Sequence, residues 1–485
     1  MKLSARRLCL SWLIALPLLL LTSPALAAPE LSTSSTKKLV GKWLARAKAG
    51  GSEVGVEVRA LASGKSVLSL NANQALNPAS SIKVLTTYAA LLQLGDRYRW
   101  QTRFFLDGSL QAGRLNGDLV MAGGGDPKLV IEDLVAAIQA MREQGLQHIT
   151  GNLRLNNSLY ASADPQRKVF DGQPTEPYNV WPDAAMLNFK STKFVIAPGK
   201  RHASLTLDPA LAGVQIENQI SLVKGRCRHA ANGLKIRERV GPSGPVLRLS
   251  GRYSRACGQT QAFHAVLDHV QFSDALFRDA WLQLGGRWDG KAVRDTEALA
   301  AQHTPWFVWT SPRTLADVIS DINKFSNNVM TRQLMLQLAA VGREPRVDEA
   351  AARRLVTTTL KLNGLALPGL VVDNGSGLSR SARVTASGLN DVLSHAAESD
   401  YEVTFRKSLP VVAVDGTMRR RLRSHPVAGQ AWIKTGSLSG VRSMSGYVYS
   451  KSGQWYAVTM MINGSAARRT RSVQDELIKW VYETG

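Results

Sequence analysis

The chain runs to 485 residues, with 60 Lys and Arg against 37 Asp and Glu and a formal net charge of +23. That length suits about three domains, and the charge suits an anionic partner without separating nucleic acid from an acidic wall polymer. The eight histidines are scattered with no His-Glu-x-x-His spacing, which argues against a metal site, and no cofactor fingerprint is read.

The N-terminus opens with Lys2, Arg6 and Arg7, an apolar stretch from Leu8 to Leu21, and Ala25-Leu26-Ala27. This predicts a signal peptide over 1–27, cleaved before Ala28; the apolar stretch is short for a membrane span and contains Pro17. No later segment has the apolar length of a span, so the mature chain is expected in an exported compartment, the periplasm. Removing Lys2, Arg6 and Arg7 leaves +20, and export argues against a nucleic-acid partner. Cys227 and Cys257 then remain, and in an oxidising compartment the pair predicts a disulfide, two buried free thiols being the alternative. Closing that loop would contribute on the order of 3–4 kcal/mol.

Further along, Gly55–Leu61 and Ser66–Leu70 predict a hairpin. Asn77-Pro78-Ala79 leads into a helix whose apolar residues recur through Val84, Leu85, Tyr88, Leu91 and Leu92, with Gly95 as its stop. From about Arg97 to Trp288 the texture changes to short alternating segments, such as Val214–Val223 and Pro245–Leu249, which predict one or two β-rich insertions. Strands follow at Gly446–Tyr449 and Trp455–Ile462, then a helix over Val473–Tyr482. Strands at both ends with helices between predict one α/β domain assembled from distant parts of the chain. Within the insertion, Lys200 to Cys257 carries eleven Lys or Arg against Asp208, Glu217 and Glu238, a local balance of +8 and a candidate anionic docking surface.

Three motifs stand in order: Ser80-Ser81-Ile82-Lys83, Ser326-Asn327-Asn328 and Lys434-Thr435-Gly436. Ser-x-x-Lys also occurs at Ser34, Ser35 and Ser221, but only Ser80 opens a strong helix directly after a hairpin. Positions i and i+3 share a helix face, so the Lys83 amine can reach the Ser80 hydroxyl. A serine needs an adjacent base to act as a nucleophile. A lysine serves as that base only when burial and nearby positive charge depress its pKa, and Lys434 could supply the charge. Ser80 N–H and Ser437 N–H are candidate oxyanion donors. Gly436 would let a ligand backbone approach the strand edge, where Lys434 and Thr435 would hold a substrate carboxylate.

This motif set resembles that of β-lactamases and penicillin-binding proteins. More closely, the chain is similar to the D-Ala-D-Ala carboxypeptidase/endopeptidase family, the low-molecular-mass class C penicillin-binding proteins. Gly123–Pro127, Asp373–Arg380, Asp415–Met418 and Lys434–Gly440 share in the likeness, which spans essentially the whole mature chain. It implies an α/β fold: a penicillin-binding/β-lactamase-like transpeptidase domain with two β-rich domains inserted between Ser-x-x-Lys and Ser-x-Asn. On this resemblance the catalytic domain is expected at 28–96 plus 289–485, one inserted domain at 97–165 plus 258–288, and the other at 166–257. It further implies an acyl-enzyme on Ser80 with Lys83 as base. Ser326 would pass a proton to the leaving amine, and Asn328 would contact the substrate amide. The implied partners are peptidoglycan stem peptides and β-lactams; homodimerisation stays open.

Some positions depart from the family pattern. Asn374 is an additional residue in the Asp373–Arg380 stretch, Asn156 and Tyr160 stand where relatives carry Asp and Phe, and Ser439 replaces a frequent Gln. Together with the retained Arg380, the positions of Asn156, Tyr160 and Ser439 are associated with recognising the side chain of meso-diaminopimelate, so weakened selection for it is expected. The competing functions are an esterase or β-lactamase-like hydrolase of the same fold and a non-catalytic wall-binding protein. A class A β-lactamase lacks support because no Glu-x-x-Leu-Asn occurs, and an α/β-hydrolase because no Gly-x-Ser-x-Gly occurs.

Overall fold

A computed structural model describes residues 30–161, 169–227, 233–242, 244–297, 304–341 and 346–485. The expected signal peptide, its cleavage point at Ala28, and Arg228 lie outside the described residues. Among the described residues no helix is long and apolar enough to cross a membrane.

Both ends of the chain build one antiparallel sheet, in the order Ala431–Leu438, Val441–Tyr449, Trp455–Asn463, Glu53–Ala60 and Ser66–Leu70. Alternation along Glu53–Ala60 sorts its side chains between two layers. Val54, Val56 and Val58 join Val40 and Trp43 of the helix Thr33–Arg46 and Val473, Leu477 and Val481 of the helix Arg471–Thr484. Glu57 and Arg59 face the other way, where Arg59 pairs with Glu57 and with Asp391 of the helix Ala386–Ala397.

On that second side the helix Lys83–Leu94 is buried on every side from Lys83 to Leu91. A helix enclosed all round belongs in a core. This one packs among Leu315–Phe325, Asn328–Val341, Glu349–Leu362 and Ala386–Ala397. Gly95, at φ 75°, ends it as expected. The start differs from the sequence reading. Ser80 belongs to a 3₁₀ turn, Ala79–Ile82, and the α-helix begins at Lys83. Ala79, at φ 42°, has no helical conformation from which a regular α-turn could begin.

The region between is β-rich, as the alternating segments predict. One sheet runs Arg287–Trp288, His148–Ile149, Arg114–Ala122, Gln101–Gln111 and Phe307–Thr310, with Leu153–Asn156 and Ala292–Asp295 attached alongside. Strand pairing thus carries this sheet to Thr310, beyond the expected boundary at 288. Two helices, Ile131–Glu143 and His269–Gln283, also lie here and pack on one another. Two three-stranded sheets follow: Thr260–His264, Thr192–Pro198 and Ala203–Asp208 form one, and Lys235–Gly241, Gly244–Ser254 and Gln215–Val223 the other. Phe194, Ile196, Ile220, Leu247, Leu249 and Tyr253 are all buried in the core they share with the neighbouring sheet. Cys227 and Cys257 form a disulfide that joins the end of Gln215–Val223 to the turn Arg255–Cys257.

Candidate active site

The Ser80 turn is held from several sides by short-range polar contacts. Asn77 accepts from Ala79 N–H at 2.8 Å and donates to the Ser379 carbonyl at 2.9 Å, which joins the turn to the Asp373–Arg380 loop. Ser81 Oγ lies 2.8 Å from Ser443 Oγ on the sheet. On the strand Ala431–Leu438, Gly436 backs directly onto the turn: a Cβ there would fall 2.8 Å from Ser80 N and 2.7 Å from Pro78 O. Only a residue without a side chain allows that approach.

Lys83 is wholly buried. Its Nζ lies 3.1 Å from Ser80 Oγ, 2.7 Å from Asn328 Oδ1 and 2.5 Å from the Ser376 carbonyl. No carboxylate among the described residues pairs with it. Burial, then the charges of Lys434 and Arg332, hold its pKa well below the ordinary lysine value. Asn374, the additional residue of its loop, is organised rather than idle. Its Oδ1 accepts from Ser376 N–H at 3.1 Å and Ser376 Oγ at 2.8 Å, and its amide donates to the Leu378 carbonyl at 2.9 Å. Asn374 thereby aims the Ser376 carbonyl that meets Lys83.

The second motif works through a helix break. Ser326 ends the helix Leu315–Phe325 in the left-handed conformation, φ 57° and ψ 37°, a strained setting for serine that is characteristic of functional sites. Asn327 accepts from Met330 N–H at 3.0 Å and caps the next helix, Asn328–Val341. Asn328 falls in that helix's first turn, beside Lys83. Ser326 Oγ accepts from Lys434 at 2.9 Å. Lys434 is also wholly buried and donates to the Thr435 carbonyl at 2.8 Å; burial takes its pKa down to about 7. Thr435 Oγ1 donates to Thr417 Oγ1 at 3.0 Å. Thr417 belongs to the Asp415–Met418 stretch, where Asp415 pairs with Lys324 at 2.6 Å, two residues before Ser326.

The structure therefore brings Ser80, Lys83, Ser326, Asn328, Lys434, Thr435 and Gly436 together. The rival serines lie elsewhere: Ser34 and Ser35 are exposed on Thr33–Arg46, and Ser221 is exposed on Gln215–Val223. An open cleft of about 1130 Å³ leads away from Ser80 past Ser326 and Asn328, and Arg380, Ser437 and Ser439 line it. Arg380 donates to the Ser439 carbonyl at 2.7 Å and lies 5.1 Å over the Phe170 ring. Ser439 thus holds Arg380 through its backbone.

Asn156 and Tyr160 are not brought to this cleft. Asn156 is buried in the strand Leu153–Asn156, where it donates to the Glu297 carbonyl at 2.8 Å and accepts from Ser158 Oγ at 2.8 Å. Tyr160 is buried with its hydroxyl 3.3 Å from Gln337 Oε1. The wall facing Arg380 is built instead by Phe170, Asp171, Glu176 and Tyr178, which the sequence reading missed. They sit in an aperiodic Gly- and Pro-containing stretch, and only the juxtaposed aromatic and acidic residues offered a signal. Burial works against the Asp171 carboxylate, but hydrogen bonds from Tyr178 and Asn179 outweigh it and hold the pKa below its ordinary value. Glu176 is pushed the other way, by burial and then by the charge of Asp171.

Comparisons with known proteins find relatives over most of the chain. The profile described as the D-Ala-D-Ala carboxypeptidase 3 (S13) family matches residues 37–484. A D-alanyl-D-alanine carboxypeptidase of Actinomadura sp. (strain R39) is 28% identical, over 96% of this chain and 88% of the relative. A carboxypeptidase of the same name from Haemophilus influenzae is 25% identical, over 85% and 86%. The crystal structure of penicillin binding protein 4 from Haemophilus influenzae superposes with a TM-score of 0.75 at 23% identity, covering 91% of this chain and 99% of that one.

Proposed function

The chain belongs to the D-Ala-D-Ala carboxypeptidase 3 (S13) family and is a serine-type carboxypeptidase of the penicillin-binding fold, and we propose that it acts through an acyl-enzyme on Ser80. The observation that carries this reading is a buried lysine with no carboxylate partner among the described residues, 3.1 Å from a serine hydroxyl. Burial and the neighbouring charges of Lys434 and Arg332 lower the pKa of Lys83, which favours the neutral amine that can accept a proton.

In this mechanism Lys83 Nζ takes the Ser80 hydroxyl proton as Oγ attacks the carbonyl of the penultimate D-alanine. Ser80 N–H and Ser437 N–H stabilise the oxyanion, a contribution typically of about 10²–10³ in rate per donor. The proton held by Lys83 passes through Ser326 Oγ to the departing D-alanine nitrogen, which returns Lys83 to its neutral form, and the peptide bond breaks to leave an ester on Ser80. Water, deprotonated by Lys83, then hydrolyses the ester. Asn328 orients the substrate amide, while Lys434 and Thr435 receive the terminal carboxylate.

The open cleft with its second wall supports a D,D-endopeptidase action on cross-links beside the carboxypeptidase action, because a cross-link brings a second peptide into the site. The proposed setting is the periplasm, with β-lactams as inhibitors that acylate the same serine. The domain assignment follows the sequence reading, except that the first inserted unit is proposed to extend to about residue 310, where its sheet ends.

The test is labelling with a fluorescent penicillin, followed by digestion of intact and cross-linked muropeptides with product masses read out. Wild type should label on Ser80 and release D-alanine; Ser80→Ala should do neither while remaining folded. An adduct on another serine would overturn the assignment.

A further inference from the structure

The sheet Lys235–Gly241, Gly244–Ser254 and Gln215–Val223 has two unlike faces. One carries the buried Leu247, Leu249, Tyr253 and Ile220. Strand register places Lys235, Arg237, Arg239, Arg248 and Arg252 together on the other. Side chains on one face recur about every 6.7 Å along a strand, and neighbouring strands lie about 4.8 Å apart. Five cations therefore share one face with Gln215, Gln219, Ser221 and Ser250, and with Val223, Val246 and Ser254, the last two of them buried.

Folding alone does not account for this pattern. Arg237 lies directly opposite Arg248 across the strand pair, and like charges in that position destabilise a sheet. Basic residues on an edge strand can serve to block edge-to-edge pairing, but Arg248 and Arg252 are on the central strand, where no edge needs blocking. A single acid, Glu217, shares the face and pairs with both Arg239 and Arg248, the latter at 2.6 Å. The exposed apolar side chains of this sheet, Ile216 and Val240, have the opposite parity and point to the other side.

We propose that this face is a docking surface for a polycarboxylate polymer, the stem-peptide carboxylates of the wall that the enzyme trims. The proposal rests on the reading of the substrate given under Proposed function. Four of the five cations are arginines, whose planar fork matches a carboxylate with two parallel hydrogen bonds. The interleaved amides and hydroxyls suit the sugar and peptide groups between charges. A bilayer is disfavoured, because a membrane-binding surface adds exposed apolar side chains that insert among the lipids, and the apolar residues that register places on this face, Val246 and Val223, are buried and half-buried. Docking here would hold the enzyme on a strand while the cleft samples successive stem peptides.

The test uses the full mature protein with purified sacculi, the same sacculi with carboxyl groups blocked as amides, and phosphatidylglycerol vesicles. Wild type should bind native sacculi in a salt-sensitive way, since exposed charges are screened beyond a Debye length of about 8–10 Å, and should lose binding to the amidated ones. K235Q/R237Q/R252Q should bind native sacculi about tenfold more weakly or worse. Its kcat/KM on a soluble D-Ala-D-Ala peptide should stay within about twofold of wild type, which also reports that it is folded. E217Q, which removes the acid from the face, should bind more tightly. Equal binding by wild type and triple variant, binding that survives amidation, or vesicle binding as tight as sacculus binding would each overturn the proposal. Failure of wild type to cleave the soluble peptide would instead overturn the catalytic reading, leaving the binding arms to decide this one.

Discussion

A side chain on Gly436 would begin 2.8 Å from the backbone nitrogen of Ser80. The edge strand that carries Lys434 and Thr435 is thus set against the nucleophile's own turn, and both proposed oxyanion donors depend on that spacing. Gly436→Ala should push the strand off the turn. We expect kcat/KM to fall by about 10²–10³, the scale of one misplaced oxyanion donor. Overpacking should cost about 1–3 kcal/mol in stability. Acylation by a β-lactam should slow in parallel; a variant within a few-fold of wild type in both assays would refute the placement.

The two buried lysines predict a narrow pH window. The proposed mechanism needs neutral Lys83 beside charged Lys434, and the charge on Lys434 favours that form by helping to depress the pKa of Lys83. Lys434 loses its own proton at about 7. The profile of kcat/KM should be bell-shaped, its alkaline limb near that value in free enzyme, and both limbs belong to the pair. Lys434→Met should abolish the alkaline limb and shift the acid limb to higher pH, because a neighbouring charge has gone. Stability should respond in the same window. The native state binds fewer protons than the unfolded chain between about 7 and the ordinary 10.5, so unfolding free energy rises with pH there. Lys434→Met should flatten that rise in denaturant titrations.

Arg332 should act as a positioning residue. It is buried one helical turn beyond Asn328, donates to the Val180 carbonyl at 3.2 Å and the Tyr178 carbonyl at 3.4 Å, and lies 5.1 Å over the Trp181 ring. Its charge also helps to depress the pKa of Lys83, in a setting that includes Lys434, Asn328, Ser80 and the Ser376 carbonyl. Arg332→Gln should move the acid limb of kcat/KM upward and raise KM for peptides that reach the Glu176–Tyr178 wall, with plateau kcat little changed. Arg332→Lys should restore the limb but not KM. A variant with an unmoved limb would reduce Arg332 to a structural role.

The catalytic cluster was legible because its residues come in short motifs whose spacing matches local geometry. Ser80 and Lys83 are one turn apart, Ser326 and Asn328 straddle a helix break, and Lys434 and Gly436 share a strand face. The terminal strands and the helix near the C-terminus were legible for the same reason, each having a clear period, whereas the helix Thr33–Arg46 went unread. What was not legible depends on contacts between distant segments. Nothing local to Phe170–Tyr178 indicates that it will face Arg380, and nothing local to Asn156 indicates that its amide will be spent on the Glu297 carbonyl. Asn374 seemed an irregularity in sequence; only its bonds to Ser376 and Leu378 reveal what it holds. The 3₁₀ turn at Ser80 was hidden because the apolar period of the helix continues through it.

Selection of the third-position side chain should follow the wall that the fold builds. Arg380 is fixed by the Ser439 carbonyl and the Phe170 ring, with its guanidinium exposed at the cleft, where it can clamp a distal carboxylate in bidentate fashion. Asp171, held ionised by Tyr178 and Asn179, offers the negative charge that an ammonium needs, and charge-assisted contacts are roughly twice as strong as neutral ones. The zwitterionic end of diaminopimelate thus has an anchor for each charge, and the weakened selection expected from Asn156 should not occur. The measurement is kcat/KM on paired peptides ending in D-Ala-D-Ala with diaminopimelate or lysine at the third position. Arg380→Gln should lower the value for the diaminopimelate peptide and leave the lysine peptide nearly unchanged. Asp171→Asn should narrow the preference by about tenfold, equivalent to one contact of about 1.4 kcal/mol. Tyr178→Phe, which removes a hydrogen bond without removing charge, should have a smaller effect. Asn156→Asp should leave selectivity where it was, because that side chain points into the inserted sheet; a widened preference in that variant would return Asn156 to the pocket and refute the assignment to Asp171.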